Sequence, residues 1–263
     1  MKYRYDSIKI KEYWDYLFAI DDGYCVFDVP PKVSKEIIDD AYLRQDDSDK
    51  AMYVYASLLR DDFDSIPDGK KVYFSIMKKL ADKGYVLAYH DLGVAYGFGT
   101  GTPIDYEKSL YWANKAIEAG LLISENRIAV AKYTGKGMAK DLPAAVESFK
   151  KLAKLGYRVA QRNIALCYER GVIVKQSREE AFKWYLKAAE QGDATAMYNV
   201  AVYYLNGYGG AEELYSEARY WAMKALSYKY DESKKIIDFL VATSCLEEKA
   251  KLWYEVDNDL FND

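Results

Sequence analysis

The chain has 263 residues, of which 51% are hydrophobic and 30% are charged, and only five are proline. This composition is that of an ordered protein and excludes a disordered tail. The 37 basic and 41 acidic side chains leave a net charge of -4, which provides no general attraction for phosphate backbones or anionic lipids. We therefore expect no nucleic acid partner and, because no apolar run approaches 18 residues, no insertion into a membrane.

The N-terminal sequence and the cysteines bear on the compartment. The first 24 residues lack the basic start, apolar centre and cleavage site of a secretory signal, so a cytoplasmic location is expected. Cys25, Cys167 and Cys245 are odd in number and far apart in sequence, which fits neither a zinc site nor a disulfide framework. We expect reduced, mostly buried thiols, no metal site and no cofactor.

Seven segments can be distinguished along the chain. Residues 1–48 show no repeat register and are interpreted as an N-terminal helical cap. Residues 49–84 have helical patterning without a glycine turn and indicate a degenerate repeat. Four regular repeats follow at 85–120, 121–156, 157–192 and 193–229, and residues 230–263 are interpreted as capping helices. Together the segments predict one continuous solenoid domain.

The regular repeats are defined by a step of 36 residues. That step relates Gly84, Gly120, Gly156 and Gly192. It also relates Ala88, Ser124, Ala160 and Ala196, then Leu92, Ile128, Ile164 and Val200, then Gly93, Ala129, Ala165 and Ala201, and finally Gly99, Gly135, Gly171 and Gly207. Agreement at this many positions predicts copies of one structural unit that stack on each other and bury a shared core.

Each unit is predicted to be helix, turn and helix. Ala88, Leu92 and Tyr96 recur at helical spacing, and Gly99 falls where a left-handed C-cap residue belongs. Small residues at positions 88, 93 and 109, and in their copies, allow adjacent helix axes to approach to roughly 8–10 Å. The charged run that begins at Arg60 is expected in a solvated loop.

Oxygen-bearing side chains mark the start of the second helices. Asp105, Asp141 and Ser177 stand in one register, and each can accept hydrogen bonds from the exposed N–H groups of a first turn. Ser177 and Glu180 together predict a capping box, in which each side chain bonds the backbone of the other residue.

The repeat resembles a known family, the Sel1-like repeats, which are relatives of the tetratricopeptide repeat. The resemblance rests on Ala88, Leu92, Gly93, Tyr96, Gly99, Gly101, Asp105, Lys108, Trp112, Lys115, Ala116 and Gly120, with copies at Ala160, Ile164, Ala165, Tyr168, Gly171, Glu180, Ala181, Trp184, Lys187, Ala188 and Gly192. It covers about residues 49–243, with a departure at Lys132, which replaces the expected tyrosine. The resemblance implies a scaffold or adaptor role with no catalytic residues. Secreted members hold each repeat with a disulfide, and that cysteine pair is absent here.

A partner would bind to the first helices. In the all-α, right-handed α-α superhelix that we expect, these helices line the concave face. Two rows of residues cross it: a polar row of His90, Asn126, Arg162 and Tyr198, and an apolar row of Val94, Val130, Leu166 and Val202. Four repeats about 10 Å apart would cover roughly 30 Å, the length of an extended peptide of about nine residues. An apolar row packed between helices beside a solvated polar row is the other interpretation.

Three classes of function remain. The repeat favours a protein-binding scaffold, either an adaptor or a cytoplasmic neutralising partner of a toxin. A carbohydrate or small-ligand binder is the alternative, because tyrosines outside the core register leave room for an aromatic surface, notably Tyr203, Tyr208, Tyr215 and Tyr220 in the last repeat and Tyr3, Tyr5, Tyr13 and Tyr16 at the N-terminus. An enzyme is not expected, since His90 has no second positioned group for acid–base chemistry. The sequence does not indicate an oligomeric state.

Overall fold

The computed structural model describes residues 48–61, 66–211, 214–228 and 230–243. The predicted N-terminal cap lies outside this part of the chain except for Ser48, and so does the predicted C-terminal cap beyond residue 243. Cys25 and Cys245 also fall outside it. Cys167 is a free, buried thiol, as the sequence predicted.

Eleven helices and no strand occur in the described ranges, which confirms the all-α prediction. The helices are α1 (Asp49–Asp61), α2 (Gly69–Asp82), α3 (Val86–Phe98), α4 (Tyr106–Glu118), α5 (Glu125–Thr134), α6 (Leu142–Lys154), α7 (Arg158–Arg170), α8 (Arg178–Glu190), α9 (Ala194–Asn206), α10 (Tyr215–Ser227) and α11 (234–243). Helices α1 to α10 pack in consecutive pairs, the first helix of each pair against the second. None of these helices is long and apolar enough to cross a membrane.

The chain divides into two compact units between Tyr157 and Arg158. The first unit contains α1 to α6, and the second contains α7 to α11. The boundary coincides with a repeat boundary, so each unit holds whole helix pairs with a core of their own. The single continuous solenoid expected from the sequence stays a prediction.

Small residues hold the two helices of a pair together. In the first unit a Cβ added to Gly93 on α3 would lie 3.1 Å from the carbonyl oxygen of Ser109 on α4. The hydroxyl of Ser109 donates a hydrogen bond of 2.6 Å to the carbonyl oxygen of Gly93. In the second unit Ala165 and Ala181 occupy the same positions and are fully buried. The predicted close approach of the helices is therefore confirmed.

The helix ends agree with the sequence signals, with one exception. Gly99 ends α3 in the left-handed conformation at φ 72°. The side chains of Asp105, Asp141 and Ser177 accept hydrogen bonds from backbone N–H groups three residues ahead, at 2.9, 3.0 and 3.2 Å.

The exception is the predicted capping box, of which only half forms. The backbone N–H of Ser177 already donates to the carbonyl oxygen of Tyr168 at 2.9 Å. The Glu180 carboxylate, left without that donor, pairs instead with Lys183 at 2.9 Å. Glu180 therefore contributes to the surface of α8 rather than to its cap.

In three of the four regular repeats, a second glycine in the turn packs against the start of an earlier helix. Gly101, Gly137 and Gly209 all have positive φ, at 70°, 78° and 64°. A Cβ added to Gly101 would collide with the carbonyl oxygen of Lys70 at the start of α2. The 36-residue step places Ile173 at this position in the remaining turn, where it adopts φ 61° with 56% of its surface exposed. A β-branched residue is rarely found in this conformation, so Ile173 is strained.

Replacing Ile173 with glycine should stabilise the protein. The left-handed conformation costs a side-chain-bearing residue roughly 1–2 kcal/mol, and a glycine removes this cost. Glycine also increases the conformational entropy of the unfolded chain, which offsets about 0.5–1 kcal/mol of the gain. We expect Ile173→Gly to raise the free energy of unfolding by up to about 1 kcal/mol in urea titrations. Ile104 is the matched control, because it is also 56% exposed but has no positive φ. Ile104→Gly should destabilise, and an equal loss in both variants would show that Ile173 is not strained.

Candidate functional site

All eight residues predicted to contact a partner lie on first helices and are half-buried. In the first unit His90 and Val94 lie on α3, and Asn126 and Val130 lie on α5; in the second unit Arg162 and Leu166 lie on α7, and Tyr198 and Val202 lie on α9. The two residues on each helix are four positions apart, so they share a helix face. Each unit thus carries two such faces, and a groove that joins all four stays a prediction.

His90 is held in place by a serine of the next repeat. Its Nδ1 lies 2.8 Å from the Oγ of Ser124, which is fully buried just before α5. Burial lowers the pKa of His90; the nearby Asp91 carboxylate opposes this, and the positive charges of Arg127 and Arg60 add to it. The imidazole is therefore neutral at pH 7, and it links α3 to α5 rather than presenting a charge.

Arg162 takes part in an ion pair within the second unit. Its Nη1 lies 3.2 Å from both carboxylate oxygens of Asp193, whose side chain is 5% exposed. The same carboxylate caps α9 by accepting a hydrogen bond of 2.9 Å from the N–H of Ala196. Since a buried carboxylate requires a counter-charge, Arg162 is needed by the fold.

Tyr198 and Val202 are partly buried and pack against the core of the second unit. The ring of Tyr198 lies 5.4 Å from that of Tyr230, centroid to centroid, at an interplanar angle of 44°. Both residues therefore support the helix pair beneath them while leaving part of their surface accessible.

A buried carboxylate cluster in the first unit was not found from the sequence. Asp91 is 3% exposed; its Oδ2 accepts a hydrogen bond of 2.8 Å from the hydroxyl of Tyr53, and its Oδ1 lies 3.2 Å from Nη1 of Arg60. Arg60 lies on α1, which continues to Asp61, and not in the loop that was predicted; its side chain is 43% exposed, and its guanidinium pairs with Asp91. Burial, reinforced by the charge of Asp91, raises the pKa of Tyr53 and of Tyr73.

Glu169 forms a similar cluster in the second unit. It accepts hydrogen bonds from the hydroxyls of Tyr185 at 3.0 Å and Tyr203 at 3.1 Å. Tyr203 is 1% exposed and its ring stacks 5.6 Å from that of Phe182, so it is not part of an exposed aromatic surface. In the sequence, the only sign of either cluster is a carboxylate residue within a predicted first helix. The repeat spacing does not show which tyrosines or arginines bind that carboxylate.

Two exposed aromatic residues on second helices each lie beside a lysine. Tyr111 and Tyr220 are 53% and 54% exposed, and each meets the neighbouring tryptophan at 78°. Lys115 Nζ lies 5.3 Å from the ring centroid of Tyr111, and Lys224 Nζ lies 5.7 Å from that of Tyr220. These perpendicular, lysine-covered rings do not form the coplanar platform that would stack on a sugar.

Acidification should destabilise the protein through His90. The pKa of His90 is lowered in the folded state, so the unfolded chain, with an ordinary pKa of about 6.5, binds the proton more readily. Stability should be fully present above pH 6.5 and should fall as the pH drops below it, with a slope of at most about 1.4 kcal/mol per pH unit. Because this is the chain's only histidine, thermal unfolding of His90→Gln between pH 7 and 5 is a clean comparison. An unchanged slope in the variant would contradict the assignment.

The sequence matches the model of the Sel1 repeat four times, over residues 86–121, 123–157, 158–193 and 194–227. These matches span α3 to α10 and together cover more than half of the chain. No curated protein matches the sequence.

Solved structures with the same fold include three from bacteria. A Sel1 repeat protein from Oxalobacter formigenes has a TM-score of 0.61 at 24% identity and covers 86% of this chain and 100% of that one. A putative sel1 repeat protein from Klebsiella pneumoniae subsp. pneumoniae has a TM-score of 0.53 at 18% identity, over 78% and 99% of the two chains. A protective antigen present in uropathogenic Escherichia coli strains, which displays an SLR fold, has a TM-score of 0.50 at 24% identity, over 77% and 42%. The matches confirm the resemblance seen in the sequence, and the chain belongs to the Sel1 repeat family.

Proposed function

We propose that this chain is a non-catalytic scaffold that binds a partner protein or peptide on the faces of its first helices. The observation that carries the proposal is the apolar row. Val94, Val130, Leu166 and Val202 recur at one position of the repeat, and each is only half-buried. Apolar side chains that stay partly exposed at a repeated position supply the surface that an interface would bury.

The helices beneath the apolar row make it rigid. Leu92 on α3, Ile164 on α7 and Val200 on α9 are fully buried two residues before a member of the row. Side chains that project from packed helices lose little conformational freedom when a partner binds, which favours affinity. The face would therefore be formed before the partner arrives.

The acidic clusters support a role without catalysis. Asp91 is bound by Tyr53 and Arg60, and Glu169 is bound by two tyrosine hydroxyls, so both carboxylates serve their own units. A general acid or base needs a group free to exchange a proton with a substrate. Neither carboxylate meets that requirement.

The scaffold would work in the cytoplasm. Cys167 is a free thiol on α7, and burial raises its pKa to about 11, so it stays protonated and unreactive. The second unit is stabilised by packing and ion pairs and does not use this cysteine in a disulfide. Such a construction suits a reducing compartment.

Charge placed on the apolar row should abolish capture of the partner. We would compare Val94→Arg/Val130→Arg in the first unit and Leu166→Arg/Val202→Arg in the second, in affinity capture from lysate of the source cell. A charge buried in an apolar contact costs several kcal/mol, so a specifically bound protein should be lost from at least one variant. Arg162 is left intact, because its replacement would expose the buried Asp193 charge and test folding instead.

The controls are Leu155→Arg and Met223→Arg, whose side chains are 57% and 52% exposed; Leu155 caps the second helix α6, and Met223 lies on the second helix α10. Circular dichroism would establish that every variant is folded. Val94→Thr/Val130→Thr, which keeps the side-chain shape, serves as a milder change that should weaken capture a few-fold. Undiminished capture by folded row variants in both units would refute the proposed face.

A further inference from the structure

Arg127 on α5 is a half-buried arginine that the fold does not use for pairing. It makes no hydrogen bond and no ion pair with any residue in the described ranges. Arg60 and Arg162, by contrast, neutralise the buried carboxylates of Asp91 and Asp193. Burial lowers the pKa of Arg127, and no carboxylate compensates for it. A guanidinium shielded from water without a counter-charge is costly, so its position calls for an explanation.

The guanidinium occupies a space that a missing side chain leaves open. A Cβ added to Gly97 on α3 would collide with Nη1 of Arg127 and would lie 3.0 Å from its Cζ. The 36-residue step places Tyr133, Glu169 and Leu205 at the equivalent position of the other first helices. Helix α3 thus has a glycine where the other first helices have a side chain, and this glycine leaves room for the guanidinium of Arg127.

An exposed aromatic ring borders the guanidinium. The Cζ of Arg127 lies 4.8 Å from the ring centroid of Phe98, and Phe98 is 70% exposed. The ring fixes the plane of the guanidinium by a cation–π contact and offers its outer surface to a ligand. Arginine is among the residues enriched at the energetic hot spots of protein interfaces.

The pair continues the candidate binding face of the first unit. His90, Val94 and Phe98 follow each other at intervals of four residues along α3, so they form one stripe that ends beside Arg127. His90 is neutral at pH 7, and the charges of Arg60 and Asp91 cancel in their ion pair. The stripe therefore ends in a single uncompensated positive charge.

We propose that Arg127 and Phe98 form an anchor for one carboxylate of a partner peptide. The guanidinium fork matches a carboxylate through two parallel hydrogen bonds, and one positive charge balances one carboxylate rather than a phosphate dianion. The peptide's aliphatic stem would lie on Phe98 and Val94. The inference rests on the proposed function, because it specifies the partner that the same face would bind.

The test is selection of random nine-residue peptides on the intact chain, in one library with free C-termini and one with blocked C-termini. We expect Asp or Glu to be enriched about tenfold at one fixed position, since a charge-assisted bidentate contact contributes that much or more. Enrichment of Asp or Glu at one internal position in both libraries would assign the carboxylate to a side chain. Selection of peptides from the free library alone, with no acidic position, would assign it to a C-terminus.

Variants make the anchor specific. Arg127→Gln should remove the acidic preference, Arg127→Glu should replace it with Lys or Arg, and Arg127→Lys, which keeps the charge without the fork, should weaken it. Arg178 is the matched control, because its Cζ lies 4.2 Å from the ring of Tyr208 but its side chain is exposed. Arg178→Gln should leave the selected peptides unchanged. Circular dichroism would confirm the fold of each variant.

The outcomes separate this inference from the proposed function. Peptides selected from the blocked library that share apolar positions but no acidic one would overturn the anchor and leave the scaffold proposal standing, as would an acidic preference that survives both Arg127→Gln and Arg127→Glu. If the wild-type chain selects no peptide at all, the anchor is overturned, and the capture experiment with the row variants decides the scaffold proposal separately.

Discussion

The close approach of two helices at a pair of small residues is the constraint on which the rest of the structure depends. At Gly93 and Ser109 the backbones are so near that a single methyl group would meet a carbonyl oxygen at 3.1 Å. Helices at this distance leave little space at the point of contact, so alanines lie there, and larger residues such as Leu92 fill the core around them. The first helix is then fixed against the second, and the side chains on its outer face project from a rigid support.

The features that the sequence could predict are those governed by local rules. Gly99 and Asp105 mark helix ends because backbone geometry and unpaired N–H groups demand those residue types wherever a helix stops or starts. The pairing of Arg60 with Asp91 follows no such rule, since it depends on which side chains meet across two repeats. The position of Arg127 could not be predicted for the same reason. In the sequence Gly97 looks like part of the glycine-rich turn with Gly99 and Gly101, and only the packing of α3 against α5 shows that it makes room for the guanidinium.

The polar row, which the sequence predicted as a binding surface, also stabilises the fold. His90 joins α3 to α5 through Ser124, and Arg162 neutralises the cap of α9. These contacts stabilise the units and leave less polar surface for a partner than four independent side chains would give. In the proposed scaffold, recognition would fall to the half-buried apolar row and, in the first unit, to residues that depart from the repeat. A residue that differs from those at the same position of the other repeats is not restricted by the packing contacts that those residues make.

The 36-residue step has a consequence for how the gene can change length. Each of the four regular repeats contains a helix pair with small residues at its contact and a glycine at the end of its first helix. An in-frame duplication or loss of 36 codons would therefore add or remove a complete pair and leave the register of its neighbours intact. A change of one codon inside a helix would instead rotate every later residue by about 100°. The chain has tolerated one such offset, since Trp221 lies 37 rather than 36 residues after Trp184, and the double glycine at Gly209 and Gly210 lies in the turn between them. Turns absorb single insertions, and helices accept only whole repeats.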